Sequence, residues 1–261
     1  ELEVERNNLK LRNEVMENDL KMAKHIHEQL MPVEKPADFI FSLYKPMEMV
    51  GGDFYDFIKF RDNRKIGIFL SDVSGHGLAA AFITSMIKTI ILQSGEKKLD
   101  PAELLKFIND ILCDHIGGNF VTAFYAIYDT GNRELIFSNA GHNPPFIISE
   151  SSIKQLQGYK TIPLAILQNS CLEERDKIFK NSTFTLPASS KILLYTDGFT
   201  ECQPLNGKGP SFEESNLHEL LSSNKHHASN LFIEQIYKRL VIHRGSDSFE
   251  DDVCLICVDV A

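Results

Sequence analysis

Apolar side chains recur every seventh position at the start of the chain, at Leu2, Leu9, Met16, Ala23 and Leu30, with Leu20 and Ile26 alongside. No Gly or Pro interrupts the pattern before Pro32, so it predicts one long, polar helix. The seam is imperfect, because Glu5, Arg12 and Asp19 fill its second position and would weaken pairing. Two readings stay open: a helix lying on its own domain, or a coiled coil that joins the chain to an upstream sensor and pairs two copies. Further along the periods shorten. Runs at 39–44, 54–60 and 66–70 read as strands, the last one buried on both faces. Residues 78–93 read as a heavily buried helix whose stripe of Phe82, Ile83, Met86, Ile87, Ile90 and Ile91 is core.

A second helix opens at Asp100-Pro101-Ala102-Glu103, with an Asp cap, Pro at the first helical position and Glu at the third. Strands follow at 120–128 and 134–138, joined by the turn Asp129-Thr130-Gly131-Asn132. Asn139 to Pro145 forms a rigid loop before the extended residues 146–148, and residues 150–190 carry no clear period. A buried strand at 191–196, helices near 211–222 and 229–243, and a last strand at 253–258 complete the chain. Helix pairs in two blocks among many strands predict an α+β architecture.

Composition changes this picture little. The 261 residues suffice for one domain with an appendage. A formal charge of −9 without any basic cluster argues against nucleic-acid binding. No apolar run reaches the roughly 18 residues that a membrane span needs, and no signal-peptide pattern is present. The five cysteines are scattered, and a chain this long does not need disulfides, so a cytoplasmic setting is expected. Cys254 and Cys257 lie three apart on a strand and therefore face opposite sides, which rules out a shared metal or bridge. The first residue is Glu1 rather than Met, and the chain is expected to be cut from something longer.

Carboxylates at strand ends carry the candidate chemistry. Asp53, Asp72, Asp197 and Asp251 or Asp252 each abut a predicted strand, most of them beside Gly or another Asp. A single acidic strand end is usually a turn or cap residue; four in one chain point further. Oxygen-only ligands favour Mg²⁺ or Mn²⁺ over zinc, and two such ions can activate a bridging water and clamp a phosphoryl group.

Five segments then occur in order: Gly-Gly-Asp-Phe-Tyr-Asp-Phe at 51–57, Asp-Val-Ser-Gly-His-Gly at 72–77, Asn-Ala-Gly-His-Asn-Pro-Pro at 139–145, Tyr-Thr-Asp-Gly-Phe-Thr-Glu at 195–201 and Asp-Asp-Val-Cys at 251–254. Together they resemble the bacterial PPM-type (PP2C-like) serine/threonine phosphatases of the sporulation-phosphatase and RsbU-like branch, over about residues 22 to 260. The resemblance implies an αββα sandwich of two antiparallel sheets flanked by helix pairs, with a linker helix at 1–31 and the phosphatase domain at 32–261. It implies a site for two ions, Mn²⁺ or Mg²⁺. There Asp72 bridges both and the carbonyl of Val73 binds one. Asp197 and the Asp251-Asp252 pair complete the first position, Asp251 being preferred as the direct ligand. Asp53 holds the second or reaches it through water, with Asp56 as the further candidate. The implied reaction is hydrolysis of phosphoserine or phosphothreonine by an activated water, without a phosphoenzyme. The implied substrate is a STAS-domain anti-sigma-factor antagonist.

The pattern departs from the family at Cys254, where Thr is usual, a change expected to affect packing more than ligation. No arginine is assigned as a phosphate clamp, although Lys59 and Arg61 stand near in sequence. His76 and His142 read mainly as loop organisers, and His226-His227 as solvated. Two other functions stay in view: a phosphatase-like domain that binds a partner without turnover, and a dimer module built on the N-terminal helix.

Overall fold

A computed structural model describes residues 2–32, 34–215 and 217–261. Helix α1 (Leu2–Leu30) leads into strands β1 (Ile40–Lys45), β2 (Phe54–Lys59) and β3 (Lys65–Val73). Helices α2 (Leu78–Gln93) and α3 (Pro101–Leu112) follow, then β4 (Val121–Asp129), β5 (Glu134–Ala140), β6 (Phe146–Ile148), β7 (Ile153–Gln155) and β8 (Lys160–Thr161). The rest is α4 (Asn169–Glu174), β9 (Ser182–Thr185), β10 (Lys191–Tyr195), α5 (Asp197–Thr200), α6 (Leu217–Asn224), α7 (Ser229–Arg244) and β11 (Val253–Asp259).

The strands form two sheets, one ordered β1-β11-β10-β6-β7 and the other β2-β3-β4-β5-β8, with β9 also on β5. All pairs are antiparallel except the short parallel pair of β5 and β8. Three apolar clusters define four layers. Ile58, Phe69 and Tyr125 pack beneath α2 and α3; Tyr55, Leu70, Phe124, Leu194 and Ile256 fill the space between the sheets; Leu193, Leu255, Phe232 and Ile236 lie beneath α6 and α7. This is the expected αββα sandwich. Strand alternation explains the division, since Tyr55 and Phe54 are neighbours in sequence and point to opposite faces. Cys254 and Cys257 separate in the same way, into the middle and outer clusters.

Where local signals are strong, the structure follows them. Asp100 caps α3 by accepting from the Glu103 N–H at 3.1 Å. Three expectations need correction. Residues 150–190 hold β7, β8, α4 and β9, elements of two to six residues, too short to show a period. The helix expected from residue 211 begins at Leu217; Ser211 and Glu214 do form a reciprocal cap, but it closes only a turn. Phe82 is not core: it is 69 % exposed and faces a groove shared with Met22, Ile26 and Leu78.

Along α1 the only buried residue is His27, whose Nε2 lies 3.1 Å from the Thr84 hydroxyl of α2. Leu2, Leu9 and Met16 are all more than half exposed, so the helix meets its own domain only near its C-terminal end. Among the described residues no helix is long and apolar enough to cross a membrane.

Candidate metal centre

The fold brings the strand-end carboxylates to one end of the inter-sheet space. Asp53 immediately precedes β2, Asp72 lies near the end of β3, Asp197 opens α5 directly after β10, and Asp251-Asp252 lead into β11. β2 and β3 belong to one sheet, β10 and β11 to the other, so the two halves of the site face each other across the sandwich. Asp72 shares the face of Ile68 and Leu70, which pack between the sheets.

Burial and like charge together raise four of these carboxyls. Burial, followed by Asp197, Asp251 and Asp252, pushes the Asp72 carboxyl up to about 7. Asp53, 2 % exposed, is raised well above the carboxylate range by burial and then by Asp72 and Asp252, against the pull of a Thr196 hydrogen bond. Asp197 is raised by burial and Glu201, and Asp251 by burial and then, outweighing an opposing bond from the Asp252 N–H, by Asp197 and Asp252. Among the described residues, none of these five carboxylates pairs with a Lys, Arg or His side chain within salt-bridge distance.

The two members of the acidic pair differ in what they touch. Asp252 is 6 % exposed; its Oδ1 accepts from Met47 N–H at 2.7 Å, and its Oδ2 accepts from Gly52 and Asp53 N–H at 2.6 and 3.1 Å. Such charge-assisted bonds contribute on the order of 2 kcal/mol each, and they pin the loop bearing Asp53 onto the start of β11. A side chain at Gly51 would sit 2.0 Å from Asp252 Oδ2, so glycine is required for this approach. Asp251 is the more open of the two, reaching solvent while its carboxyl group is partly covered, and its Oδ1 accepts from the following Asp252 N–H at 2.8 Å.

Asp53 is held by Thr196, whose hydroxyl donates to its Oδ2 at 2.6 Å and accepts from Cys254 N–H at 3.0 Å. Nothing in the sequence links Asp53 to Thr196, 143 positions away. Cys254 is fully buried, and its role here is carried by backbone. Asp72 lies opposite Thr122 in the β3–β4 pairing, and the Thr122 hydroxyl is 2.8 Å from His142 Nδ1. His142 is held by Asn139 through two bonds to its own backbone, and burial drives its ring down to about 4, which keeps it neutral. It organises the loop, as expected. The exposed His76 ring stands 3.3 Å from Glu48, and His226 lies 3.7 Å from Glu150 at the surface.

Asp56 does not join the cluster. It faces α2, where its carboxylate accepts from Lys88 at 2.8 Å, because it shares parity with Phe54 and Ile58 rather than with Asp53. Lys59 lies at the far end of β2, about 20 Å along the strand from Asp53, and pairs with Glu34; sequence proximity misled there, and for Arg61 just beyond it.

The donor set is all oxygen, strongly acidic and lacks a neutralising side chain, which fits hard divalent cations and not zinc. A side chain at Gly52 would sit 2.9 Å from the Val73 carbonyl oxygen, so that oxygen is backed by bare backbone. Among the described residues no three His, Cys, Asp or Glu side chains already stand at metal-coordinating spacing. The fold therefore delivers a ring of carboxylates rather than a finished cage.

The profile of the family described as stage II sporulation protein E (SpoIIE) matches residues 62–261. The phosphoserine phosphatase RsbU of Bacillus subtilis strain 168 is 28 % identical over 233 residues, covering 87 % of this chain and 65 % of RsbU. Across the curated relatives reported, the chain spans 41 to 65 % of their lengths. Among solved structures, the SiaA-PP2C domain of Pseudomonas aeruginosa superposes with a TM-score of 0.80 at 19 % identity, over 96 % of this chain and 98 % of that one. RsbX in complex with magnesium superposes with a TM-score of 0.60 at 17 % identity, over 88 % and 100 %. These structures share the fold.

Proposed function

Because this chain belongs to the stage II sporulation protein E family, we propose that it is a metal-dependent protein serine/threonine phosphatase acting on phosphoserine or phosphothreonine. One observation carries the reading: four carboxylates from two sheets, Asp53, Asp72, Asp197 and Asp251, crowd one end of the sandwich, where Asp72 raises the proton affinity of Asp53, Asp197 and Asp251 raise that of Asp72, and Asp197 raises that of Asp251. Two Mn²⁺ or Mg²⁺ ions bound there would offset charge on the phosphoryl oxygens and lower the pKa of water. Asp72 and the Val73 carbonyl, Asp197 and Asp251 would hold them, with Asp53 at the second position directly or through water. Asp252 is the anchor of the site, because its oxygens already accept three backbone N–H groups.

The expected result is Mn²⁺-dependent release of phosphate from a phosphoserine peptide, abolished by excess chelator. In calorimetry, Asp251→Asn should lose Mn²⁺ heat, whereas Asp252→Asn should chiefly lose thermal stability. Turnover that persists in chelator would sink the mechanism. A second reading, a phosphatase-like binding module without turnover, is favoured by the absence of a pre-assembled cage among the described residues; such a module should show no Mn²⁺-dependent heat.

The substrate we propose is a STAS-domain anti-sigma-factor antagonist in a bacterial, cytoplasmic signalling pathway, as the resemblance of the five motifs implies. Residues 1–31 act as a linker helix and 32–261 as the catalytic domain, and the exposed Leu2, Leu9 and Met16 pair two copies. Sedimentation should then show a dimer that dissociates when residues 1–21 are removed; a truncated chain that stays dimeric excludes this seam.

A further inference from the structure

Arg244, the last residue of α7, is only 5 % exposed, and its guanidinium reaches two separate stretches of chain. Nη1 donates to the Gln203 carbonyl at 3.0 Å, and Nε donates to the Ser248 carbonyl at 3.2 Å. Nη1 also stands 3.0 Å from the Glu250 carboxylate. The Arg244 carbonyl accepts in turn from Leu205 N–H at 2.9 Å. Gln203 and Leu205 follow the helical turn that Asp197 opens, while Ser248 and Glu250 lead directly into Asp251.

These two stretches touch each other at the site. A side chain at Gly198 would lie 2.1 Å from the Asp252 carbonyl oxygen and 3.2 Å from the Asp251 side chain, so the backbone after Asp197 rests on the acidic pair. Behind that contact a small cavity of about 160 Å³ is lined by Gly198, Glu201, Arg244, Phe249 and Asp251, among others. Packing on one side and the arginine fork on the other leave the two carboxylate-bearing segments little freedom to separate.

We propose that Arg244 is a positioning residue for the metal centre: it clamps the Asp197 and Asp251 segments together and so sets the spacing at which these carboxylates meet a divalent cation. The inference rests on the metal-dependent reading above. Arginine suits the task because its planar fork offers several donors in fixed directions and keeps its charge when buried. Lysine cannot span both carbonyls and the carboxylate. The opposite end of α7 supplies a control, for Lys191 pairs there with Asp259, which also accepts from Ser229 N–H at 2.9 Å. There Lys191 is buried and Asp259 half-buried, and neither pairs with a candidate ligand.

The test is Mn²⁺ titration by calorimetry of the full chain, its Arg244→Gln and Arg244→Lys variants and Lys191→Met, with melting temperature read alongside. Both Arg244 variants are expected to bind Mn²⁺ on the order of 10- to 100-fold more weakly, the range seen when partners orienting metal ligands are removed. Lys191→Met should melt earlier with unchanged Mn²⁺ affinity. Should Arg244→Gln fail to fold, Arg244→Lys, which keeps the charge, decides. Arg244 variants that melt earlier yet bind Mn²⁺ like the parent overturn the proposal and leave a purely structural clamp. An unaltered chain that takes up no Mn²⁺ removes the metal centre itself, a distinct result that overturns both readings.

Discussion

Replacing Asp72 by asparagine is expected to lower the hydrolysis of p-nitrophenyl phosphate in Mn²⁺ by on the order of a thousandfold or more, a loss typical of electrostatic groups in contact with the reacting charge. The same substitution should stabilise the metal-free chain. In the fold, Asp72 is held up to about 7 by burial and by Asp197, Asp251 and Asp252, well above the ordinary aspartate value of about 3.9. The folded state thus keeps a proton that the unfolded chain releases. Its contribution to stability is full below the unfolded value and is lost as pH rises through the folded one. Metal-free protein should melt at lower temperature as pH is raised from about 4 to about 7, and Asp72→Asn should flatten that slope. Adding Mn²⁺ should reverse the order, stabilising the parent chain and not the variant. A variant that keeps more than a tenth of the activity, or melts below the metal-free parent at the higher pH, would contradict this account of the cluster.

How much of this was legible beforehand depends on range. Elements fixed by their own residues are readable: the Asp100 cap, the buried run 66–70 of β3 (although the strand continues to Val73), and the opposite faces of Cys254 and Cys257 all follow from local chemistry and a period of two. The carboxylates of the site could be picked out because strand ends next to glycines are local features too. Asp56, the weaker candidate, turns to Lys88 instead, since a place in a motif does not say which face a strand residue takes until its register is known. What the sequence could not contain was the pairing of distant segments. Thr196 with Asp53 and Asp252 with Met47 are contacts made by closing the sandwich, and Arg244 with Gln203 by packing α7 over the outer face. Phe82 was lost similarly: its place in an apolar stripe predicted burial, but the sheet beneath α2 covers Ile83, Ile87 and Ile90 and leaves the next row to face α1.

Gly198→Ala is expected to cost the site a large part of its stability. By helix propensity alone the change should help, because alanine is favoured over glycine by about 1 kcal/mol inside a helix. Gly198 lies within α5, and its backbone is not in the left-handed region reserved for glycine. The deciding fact is space: the new methyl would meet the Asp252 carbonyl oxygen at 2.1 Å and the Asp252 carbonyl carbon at 3.1 Å. These are backbone atoms at the start of β11, a strand paired on both sides with β1 and β10, so they cannot rotate away as a side-chain tip could. Overpacking of this kind costs about 3 kcal/mol or more, which outweighs the propensity gain. For a chain of this length that corresponds to a fall in melting temperature of about 6–12 °C. The displacement would also carry Asp197 away from Asp251, so Mn²⁺ affinity and turnover should fall together. Gly95→Ala separates the two causes: its φ of +56° is strained for alanine, but nothing lies within 4 Å of the added methyl. That variant should lose only about 1 kcal/mol with metal binding intact, and a Gly198→Ala protein that behaved no worse would show that the two segments can part without harm to the site.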